Sequence, residues 1–539
     1  MVYGDTDVAT CEAIVRQGYE IKNVFDIGAS NSAWTSLVRA AFPAARFDMF
    51  EPLAEKIPGY KEGMRHYLEH DKRAFLHKVA VGEKDGEIVI HIADNLVGST
   101  TLDVDPSSFA SESVEVPVRS IDSIVASGLA PVPDMIKFDI QGGELAALKS
   151  ARQTLPQVSF LLLETWLMRG YGANTPLLTE LIDFLAEFRF VPYEIGDAFR
   201  DEGGQAFAQD VWFINARKSK IPHHYYPGIR DTPMGGIARA LRNAARGLLG
   251  GGAQTATPAQ PVAPDEDMPN QEPYAPASVA DHAAPKYFER DAAICAEILK
   301  RGYAIKTVFD VGASNSAWTT TVSPSLPGAE FHLFEPLAEI QPSYREVLDK
   351  HLRTLPHAHL HALAIGKKDG ATDILITKDP SASTTLAMES TYLLGKSRSV
   401  PMRAIDSLVA EGICPLPQLI KMDIQGGELA ALQGAIKTLP NVTFLALETW
   451  LVRGYGINTP LLSEITHFLD RQGFVPYEFS DAYRFANGQA VAVDVWFINV
   501  RKALSPPWYY TSGSHSADAA GSSSQSWDML SRIIRKFKP

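Results

Sequence analysis

Short apolar runs alternate with amphipathic stretches from residue 11 to residue 215, and the two patterns predict strands and helices in turn. The runs that predict strands are NVFDI, RFDMF, HKVAVG, EIVIHIA, MIKFDI, FLLLETW and DVWFIN. The stretches that predict helices are residues 11–17, AWTSLVRAAF, GGELAALKSARQTL and NTPLLTELIDFLAEF. Strands that alternate with helices are typical of a mostly parallel sheet with helices on both faces.

The same pattern returns in the second half of the chain, with nearly the same residues. VFDIGASNSAWTS occupies residues 24–36, and VFDVGASNSAWTT occupies residues 308–320. Asp26 and Asp310 are 310 − 26 = 284 residues apart. The same offset relates four further pairs of acids: Glu51 and Glu335, Asp139 and Asp423, Glu164 and Glu448, and Asp210 and Asp494. A constant offset over this length predicts two copies of one domain, because solenoid repeats have periods of only about 20 to 50 residues.

The repeat divides the chain into four predicted parts. These are copy 1 (1–230), a linker region (231–285), copy 2 (286–511) and a tail (512–539). The Pro- and Ala-rich stretch 250–285 and the Ser- and Gly-rich stretch 511–526 have few large apolar residues, so we expect both to be flexible. The linker region also holds a basic amphipathic segment at 237–250, and the tail holds one at 527–539. Two roles stay open for these segments: docking on an acidic face of the protein, or peripheral contact with an anionic membrane surface.

Composition narrows the class of protein. The chain has 539 residues, of which 45% are hydrophobic and 21% charged, as in ordinary globular proteins with more than one core. The net charge of −13 argues against nucleic acid as a partner. Cys11 and Cys295 are equivalent in the repeat, so we expect buried apolar residues and not a disulfide. With no signal peptide and no run of 18 apolar residues, we expect a cytoplasmic protein without a transmembrane segment, or one peripheral at the inner membrane surface.

Four acids follow or end predicted strands of copy 1: Asp26, Glu51, Asp139 and Glu164. Such folds bind ligands at the carboxyl ends of the strands. One acid there could equally cap a helix or pair with a surface base, but four in order favour a binding site. Gly28 after the first strand would let the backbone approach a ligand, and Glu51 could accept hydrogen bonds from two ribose hydroxyls.

The turn after the first strand favours one nucleoside cofactor over another. Dinucleotide sites use G-x-G-x-x-G to cradle a pyrophosphate, whereas this turn has Gly28 with Ser30 and Ser32 where further glycines would stand. S-adenosylmethionine carries no phosphate, and its amino-acid end suits Asp26 together with loop amides and hydroxyls. The turn therefore favours S-adenosylmethionine.

Several longer motifs resemble the FkbM-type, S-adenosylmethionine-dependent methyltransferases. In copy 1 they are VFDIGASNSAWT, FEP, VAVGEKDG, RSIDSIV, MIKFDIQGGELAALKSA, LLLETW and DVWFIN, and copy 2 repeats each of them with few changes. The family consists mostly of O-methyltransferases that act on sugars, polyketides and similar hydroxylated metabolites. The resemblance implies two tandem Rossmann-like class I methyltransferase domains of the α/β class, each with a mostly parallel seven-stranded sheet.

By position, the resemblance also implies roles for single residues. Asp26, Gly28 and Glu51 would bind the cofactor, and Asp139 with Glu144 would lie at the transfer site. The chain departs from the family pattern at Ser32 and at its counterpart Ser316, where the family usually has a second glycine. That change bears on the path of the cofactor loop.

Methyl transfer to a hydroxyl needs alignment of the acceptor and a group that takes its proton. Asp139 is the first candidate for that base, and Glu164 is the second. Alternatively, the two carboxylates could hold Mg²⁺, which would polarise the hydroxyl. His77 is the one histidine that recurs in copy 2, as His361, and we expect a structural role for it.

The loop after the fifth parallel strand, ETWLMRGYGANTPLL in copy 1, mixes aromatic rings with hydrogen-bond donors. That mixture suits a sugar or another polyol, so Trp166, Arg169 and Tyr171 are the predicted substrate contacts. The alternative is that Trp166 and Tyr171 only pack the loop onto the sheet.

The sequence therefore predicts a tandem S-adenosylmethionine-dependent O-methyltransferase that acts on a hydroxyl of a small molecule or glycan, with two working sites. The predicted residues of copy 2 are Asp310, Gly312, Ser314 and Glu335 for the cofactor, Asp423 and Glu448 for catalysis, and Trp450, Arg453 and Tyr455 for the substrate. The main alternative is a noncatalytic scaffold that binds a nucleoside ligand.

Overall fold

The computed structural model describes residues 4–93, 98–102, 110–201, 204–220, 288–355, 357–377, 380–386, 396–484, 489–505 and 509–510. The linker after residue 220, both basic segments and the tail after residue 510 lie outside the described residues. What the sequence predicts for them, and for the domain boundaries, stays a prediction.

Copy 1 contains ten strands and six α-helices among its described residues. The strands are β1 (Asn23–Ile27), β2 (Arg46–Phe50), β3 (Ala74–His77), β4 (Ala80–Val81), β5 (Gly86–Ala93), β6 (Ala110–Arg119), β7 (Met135–Phe138), β8 (Phe160–Trp166), β9 (Phe190–Arg200) and β10 (Ala206–Asn215). The helices are α1 (Asp5–Arg16), α2 (Ala33–Val38), α3 (Pro58–His70), α4 (Ile121–Ala126), α5 (Glu144–Lys149) and α6 (Leu178–Ala186).

Copy 2 repeats these elements in the same order. Its strands are β11 (Thr307–Val311), β12 (Glu330–Phe334), β13 (Ala358–His361), β14 (Ala364–Ile365), β15 (Gly370–Ile376), β16 (Lys396–Arg403), β17 (Leu419–Met422), β18 (Phe444–Trp450), β19 (Phe474–Arg484) and β20 (Ala490–Asn499). Its helices are α7 (Glu289–Lys300), α8 (Ala317–Val322), α9 (Pro342–Leu352), α10 (Ile405–Ala410), α11 (Glu428–Gln433) and α12 (Leu462–Arg471).

Each copy folds around a seven-stranded sheet, which in copy 1 has the order β3-β2-β1-β7-β8-β10-β9. The five strands from β3 to β8 run parallel, while β10 is antiparallel to both β8 and β9. The central strands β7 and β8 are buried along their whole length, as expected for strands covered on both faces. The predicted fold, a mostly parallel seven-stranded α/β sheet in each copy, is confirmed.

Two of the predicted strands differ from those in the structure. The EIVIHIA strand does not join the main sheet, because β5 pairs antiparallel with β6 in a separate three-stranded sheet of order β4-β6-β5. The predicted strand HKVAVG is divided between β3, which ends at His77, and the short β4. The small sheet has its own core, in which Ile90, Ile92, Val116 and Val118 are buried.

The first helix is tied to the sheet by a buried acid. Asp7 accepts hydrogen bonds from the indole Nε1 atoms of Trp34 (2.9 Å) and Trp212 (3.0 Å). Burial raises the pKa of Asp7 to about 6, against the lowering effect of the two indole donors. In copy 2, Asp291 accepts from the equivalent tryptophans, which are Trp318 and Trp496. This contact joins α1, α2 and β10 in one packing unit.

The two copies pack against each other. A single cluster of buried apolar side chains contains residues of both copies, among them Leu181 and Phe184 on α6 and Ile465 on α12. Across the same interface, Nη2 of Arg200 donates to Oε1 of Glu478 at 2.9 Å. The two copies are therefore held together by a common apolar core as well as by the chain that links them.

Among the described residues, no helix is long and apolar enough to cross a membrane. Cys11, Cys295 and Cys414 are all buried and unlinked, which confirms the expectation for the first two.

Candidate functional site

The carboxyl ends of the parallel strands carry the predicted acids. Asp26 lies on β1, Glu51 directly follows β2, Asp139 directly follows β7, and Glu164 lies near the end of β8. Because these strands are neighbours in the sheet, their ends meet at one edge. The structure therefore brings the four predicted acids together, and two further side chains link three of them.

The first linking residue is Lys137, which the sequence interpretation missed. Its Nζ lies 3.3 Å from Oδ1 of Asp26 and 3.4 Å from Oδ2 of Asp139, and it donates to the carbonyl of Gly28 at 3.2 Å. Lys137 is buried on β7. Burial opposes its charge, but the attraction of the two aspartates outweighs burial and raises its pKa. The ammonium therefore stays charged and offsets part of the negative charge of the site.

The available signal for Lys137 was its place in β7, whose other three residues are apolar: Met135, Ile136 and Phe138. A lysine inside a strand that is covered on both faces needs a charged partner. Asp26 on the adjacent strand is that partner, because Asp26 and Lys137 are opposite each other in the β1–β7 register.

The second linking residue is Gln141. Its Nε2 donates to Oδ1 of Asp139 and to Oε2 of Glu164, at 2.8 Å in each case. Its Oε1 accepts from the hydroxyl of Tyr171 at 2.6 Å. The backbone at Gln141 is left-handed, with φ of 53°, which turns this side chain toward the acids. Gln141 therefore fixes the distance between the two candidate bases.

Burial sets the protonation of the deepest groups. Burial raises the pKa of Glu164 well above its usual value, and the nearby charges of Asp139, Glu144 and Asp210 raise it further. Burial also raises the pKa of Tyr171 well above its usual value, so its hydroxyl keeps its proton and donates to Gln141. The surroundings of Glu164 therefore favour its neutral form.

Glu144 begins α5 and caps the turn that follows Asp139. Its Oε1 accepts from the backbone N–H of Ile140 (3.1 Å) and of Gly142 (3.3 Å). Its Oε2 is buried, and no hydrogen-bond partner for it lies among the described residues. Burial raises the pKa of Glu144 to about 7. The residue thus shapes the turn that positions Asp139 and Gln141.

Glu51 connects the ends of β1 and β2. Its Oε2 accepts from the N–H of Ser30 at 2.8 Å, and its Oε1 accepts from the N–H of Leu53 at 2.9 Å. Burial raises the pKa of Glu51 to about 7, although both hydrogen bonds favour the ionised form. The carboxylate is thereby held against the turn that the sequence predicts as the cofactor loop.

The cofactor loop keeps a glycine-like path despite its serines. Ser30 and Ser32 have φ of 51° and 70°, in the left-handed region that glycine adopts most readily. Gly28, with φ of 78°, is required for a different reason: a Cβ there would lie 1.9 Å from the carbonyl oxygen of Asp139. The glycine lets β1 and β7 end in close contact, and its predicted approach to a ligand stays a prediction.

The loop after β8 is more buried than expected for a substrate surface. Trp166 packs edge-on against Tyr171, with ring centroids 5.0 Å apart. Nη2 of Arg169 donates to Oε1 of Glu180 at 3.0 Å, and its Nη1 donates to the carbonyl of Thr175. These contacts fit the packing alternative, and contact of these side chains with a substrate stays a prediction.

The other copy also contacts this loop. The N–H of Arg169 donates to the carbonyl of Tyr509 at 2.8 Å, and Trp166 belongs to an apolar cluster that includes Tyr509 and Tyr510. The C-terminal end of copy 2 thus braces the loop of copy 1. The counterpart residues, Tyr225 and Tyr226, lie outside the described residues.

Copy 2 assembles the same site. Nζ of Lys421 lies 3.4 Å from Asp310 and 3.5 Å from Asp423, and Nε2 of Gln425 donates to Asp423 (2.7 Å) and Glu448 (3.2 Å). The remaining equivalents also agree, with Ser314 donating to Glu335, Gly312 against Asp423, Trp450 against Tyr455, and Arg453 paired with Glu464.

His77 has the structural role that the sequence predicts. Its Nε2 lies 2.8 Å from Oδ1 of Asp48, which also binds Arg46. The contacts of its counterpart His361 are different and are described below.

A comparison with models of protein families decides the assignment. The model of the methyltransferase FkbM domain matches residues 26–192 and again residues 310–476. The chain belongs to the FkbM methyltransferase family. It is a tandem duplication of the family's domain and an S-adenosylmethionine-dependent methyltransferase. The comparison with curated protein sequences gives no match.

Solved structures of methyltransferases are similar to this chain at low sequence identity. Methyltransferase FkbM from Methylobacillus flagellatus KT is 13% identical over 90% of this chain and 93% of its own, with a TM-score of 0.25. Precorrin-6y C5,15-methyltransferase from Geobacter metallireducens GS-15 is 13% identical over 42% and 98%, with a TM-score of 0.24. N-methyltransferase NodS from Bradyrhizobium japonicum WM9 is 11% identical over 40% and 99%, with a TM-score of 0.23. Scores this low carry no argument, and the assignment rests on the family match.

The residues at the strand edge of this FkbM methyltransferase fit S-adenosylmethionine. The cofactor presents ribose hydroxyls and an ammonium group as donors, and the edge offers the buried carboxylates of Glu51 and Asp26 as acceptors. The edge has no glycine-rich cradle for a pyrophosphate, since Ser30 and Ser32 occupy the turn. Glu51 and Asp26 would hold the cofactor, together with the backbone of the Gly28 turn.

Proposed function

We propose that each copy of this FkbM methyltransferase is an O-methyltransferase, with Asp139 in copy 1 and Asp423 in copy 2 as the general base. The observation that carries the proposal is the exposure of these two aspartates. The Asp139 side chain is 27% exposed and that of Asp423 is 25% exposed. The neighbouring acids Asp26, Glu144 and Glu164 are buried. Within the cluster, Asp139 is the acid that an acceptor can reach.

The fixed contacts of Asp139 suit a base that must stay in place. Gln141 holds Oδ1 by a hydrogen bond, and the ammonium of Lys137 lies beside Oδ2. A carboxylate held in this way is already in one conformation. It can therefore accept the proton of an approaching hydroxyl without a further loss of side-chain entropy. S-adenosylmethionine, when bound, supplies an electrophilic methyl group. Asp139 would take the proton of the acceptor hydroxyl as the oxygen bonds to the methyl carbon and the carbon–sulfur bond of the cofactor breaks, which would release S-adenosylhomocysteine.

Glu164 is the weaker candidate for the base. Burial raises its pKa and so favours the protonated acid, a form that cannot take a proton. It can still donate or accept a hydrogen bond within the network around Gln141. We therefore assign Glu164 and its equivalent Glu448 to positioning.

The proposed acceptor is a saccharide or a similar polyhydroxylated molecule. A groove of about 310 Å³ lies beside the Asp139 turn, within the usual range for small-molecule sites. Its wall combines apolar surface from Leu102 and Leu145 with the polar groups of Asn174 and Glu180, and it includes Gly142 from the turn itself. Sugars present both a hydroxyl edge and an apolar face, so a wall of mixed character supports this class of acceptor.

Dependence on Mg²⁺ remains a separate proposal. The carboxylates of Asp139 and Glu164 would have to share the ion, and the amide of Gln141 connects them instead. Loss of activity in EDTA with recovery on Mg²⁺ would support metal use, whereas full activity in EDTA would exclude it.

The proposal is tested by incubating the full chain with methyl-labelled S-adenosylmethionine and a panel of hydroxylated acceptors. Saccharides, small phenols and amines should be compared at equal concentration, and the labelled products identified by mass spectrometry. Methyl ethers of saccharides are the expected products. Methylated amines in place of methyl ethers would contradict O-methylation. Binding of the cofactor without turnover on any acceptor would favour the noncatalytic alternative.

A further inference from the structure

A cluster of histidine, cysteine and glutamate side chains lies at the edge of the main sheet of copy 2, outside the methyl-transfer site. His332 lies on β12, His361 lies on the edge strand β13, and Cys414 follows α10. Nδ1 of His332 is 3.0 Å from Nε2 of His361, and that Nε2 is 3.7 Å from Sγ of Cys414. The ligand atoms of the three residues all lie within 4.8 Å of one another.

These separations are close to those of a shared tetrahedral ion. Zn–N bonds of about 2.0–2.1 Å and a Zn–S bond of about 2.3 Å hold neighbouring ligand atoms about 3.3–3.6 Å apart. One separation, 3.0 Å, is shorter than that range, and the other, 3.7 Å, is slightly longer. Two imidazoles and a thiolate are also the ligand types that borderline and soft divalent ions prefer over oxygen. Hydrogen bonds among the imidazoles and the thiol fit the same two distances, and metal binding separates the two arrangements.

A carboxylate lies near the ring that would bind through Nδ1. Nε2 of His332, the nitrogen on the opposite side of the ring, lies 3.2 Å from Oε1 of Glu330, although the two atoms are not aligned for a hydrogen bond. The same oxygen lies 3.0 Å from Nε2 of His359, on the neighbouring strand. Metal-binding histidines commonly donate their second ring nitrogen to a carboxylate, which fixes the ring and its tautomer. Glu330 is the carboxylate within reach for that role.

The equivalent positions of copy 1 form an ordinary ion-pair network. In place of Glu330, His332, His359 and Cys414, copy 1 has Arg46, Asp48, Phe75 and Ala130. Asp48 there accepts two hydrogen bonds from Arg46, at 2.7 and 2.8 Å, and contacts His77. Only the histidine at 77 and 361 is common to both copies. The four differences remove the guanidinium and introduce two imidazoles and a thiol at one place.

We propose that copy 2 contains a site for a divalent transition-metal ion of the Zn²⁺ type, bound by Nδ1 of His332, Nε2 of His361 and Sγ of Cys414. Three protein ligands leave a fourth position for water. The ion joins β12, the edge strand β13 and the segment after α10. The N–H of Glu335, the predicted cofactor acid of copy 2, donates to the carbonyl of His361 at 3.1 Å. The ion therefore stiffens the sheet edge next to the cofactor site of one copy only.

The test uses the untagged full-length chain, freed of metal with a chelator and titrated with Co²⁺ as a spectroscopic probe for Zn²⁺. We expect one equivalent per chain, with the strong visible absorption of a tetrahedral Co²⁺ site and a thiolate-to-cobalt band in the near ultraviolet. Added Zn²⁺ should displace the Co²⁺ and raise the melting temperature.

Two variants each remove one proposed ligand, and Cys414→Ala borrows the residue that copy 1 has at the equivalent position. Cys414→Ala should abolish the thiolate band, and His332→Ala should weaken Co²⁺ binding by at least tenfold, while Cys295→Ala, which removes the other buried thiol of copy 2, should leave both unchanged. Circular dichroism establishes that each variant is folded, and an unfolded variant is replaced by His361→Ala. A wild-type chain without a thiolate band, or a band that survives Cys414→Ala, would overturn the proposal.

Discussion

Asp183 and His467 occupy equivalent positions in the two copies, since 467 − 183 = 284, and Oδ1 of Asp183 lies 3.2 Å from Nδ1 of His467. A residue that contacts its own equivalent lies on a two-fold axis. The ion pairs on either side agree with this symmetry. Arg200 pairs with Glu478, and the equivalent residues Arg484 and Glu194 form the reciprocal pair. The two copies therefore dock like the subunits of a symmetric dimer, within one chain.

The ion pairs of this interface predict an asymmetric loss of stability. Glu478 binds both Arg200 and Arg290, at 2.9 and 2.8 Å, whereas Glu194 binds Arg484, and the position equivalent to Arg290 is Thr6. Glu478→Gln should lower the free energy of unfolding by about 2 kcal/mol, because it weakens charged hydrogen bonds made by a buried carboxylate. Glu194→Gln is the matched control and should lower it by less. Urea unfolding measures both, and equal losses would contradict the asymmetry.

The raised pKa of Glu144 should make the stability of the folded chain depend on pH. Its pKa is about 7 in the folded chain and 4.5 in the reference state, so the folded state favours the neutral acid. The contribution of neutral Glu144 to the free energy of unfolding is full below pH 4.5 and is lost as the pH rises through 7. Glu144→Gln has a side chain that is neutral at every pH and does not lose this contribution. Between pH 5 and pH 8 its free energy of unfolding should therefore rise, relative to that of the wild type, by up to about 3 kcal/mol.

Chemical unfolding at several pH values measures this difference. Glu428→Gln, the same change in copy 2, should behave alike, because the pKa of Glu428 is also raised to about 7 by burial. Parallel curves for the wild type and both variants would show that these carboxyls do not favour the neutral form.

Lys137 is predicted to be essential for the stability of the site. Lys137→Met would leave Asp26 and Asp139 without the cation between them, and loss of one partner from a buried ion pair costs about 3–5 kcal/mol. We therefore expect a loss of that size in urea unfolding and weaker binding of S-adenosylhomocysteine. Lys84→Met, at an exposed position, is the control and should change neither. Unchanged stability of Lys137→Met would mean that the lysine is not the counter-ion.

Asp139 is predicted to act on the chemical step. Asp139→Asn keeps the shape of the side chain but removes the base, so kcat at the copy 1 site should fall by at least about a hundredfold. Cofactor affinity should stay within a few-fold, because Glu51 and Asp26 are unchanged. Asp423→Asn is the equivalent change in copy 2, and the double variant should be inactive. An unchanged kcat in the double variant would exclude these aspartates as bases.

Tyr171 is predicted to position the base through Gln141. Tyr171→Phe removes the 2.6 Å hydrogen bond to Gln141 and should lower kcat by about tenfold, the rate equivalent of one hydrogen bond, while KM for the acceptor stays the same. If Tyr171 instead contacts the substrate, as the sequence predicts, KM should rise. The split between kcat and KM therefore separates the two roles.

The strand ends and their acids were predictable because short apolar runs mark the strands in the local sequence. Asp26, Glu51 and Asp139 each follow or end an apolar run, and parallel strands must end at a common edge. β6 and β9 were missed for physical reasons. β6 has outward Ser113, Glu115 and Pro117 between its valines and begins in a polar stretch, while β9 contains Pro192 and Gly196, which weaken a strand signal.

Contacts between distant segments were not predictable from one copy's pattern. The hydrogen bond from Arg169 to Tyr509 depends on how the folded surfaces of the two copies meet. The hydrophobic pattern of a single segment carries no information on such a contact. The copy 2 metal cluster was hidden for a similar reason. Its ligands are separated in sequence, and His361 recurs in copy 1 as His77, where its partner is Asp48.

The central claim is that both copies are working cofactor sites, and the most direct measurement is calorimetric titration of the full chain with S-adenosylhomocysteine. The account predicts two equivalents per chain, and Glu51→Ala and Glu335→Ala should each remove one of them. It also predicts that NAD does not bind. A single equivalent in the intact chain, or two equivalents that survive both substitutions together, would contradict the claim.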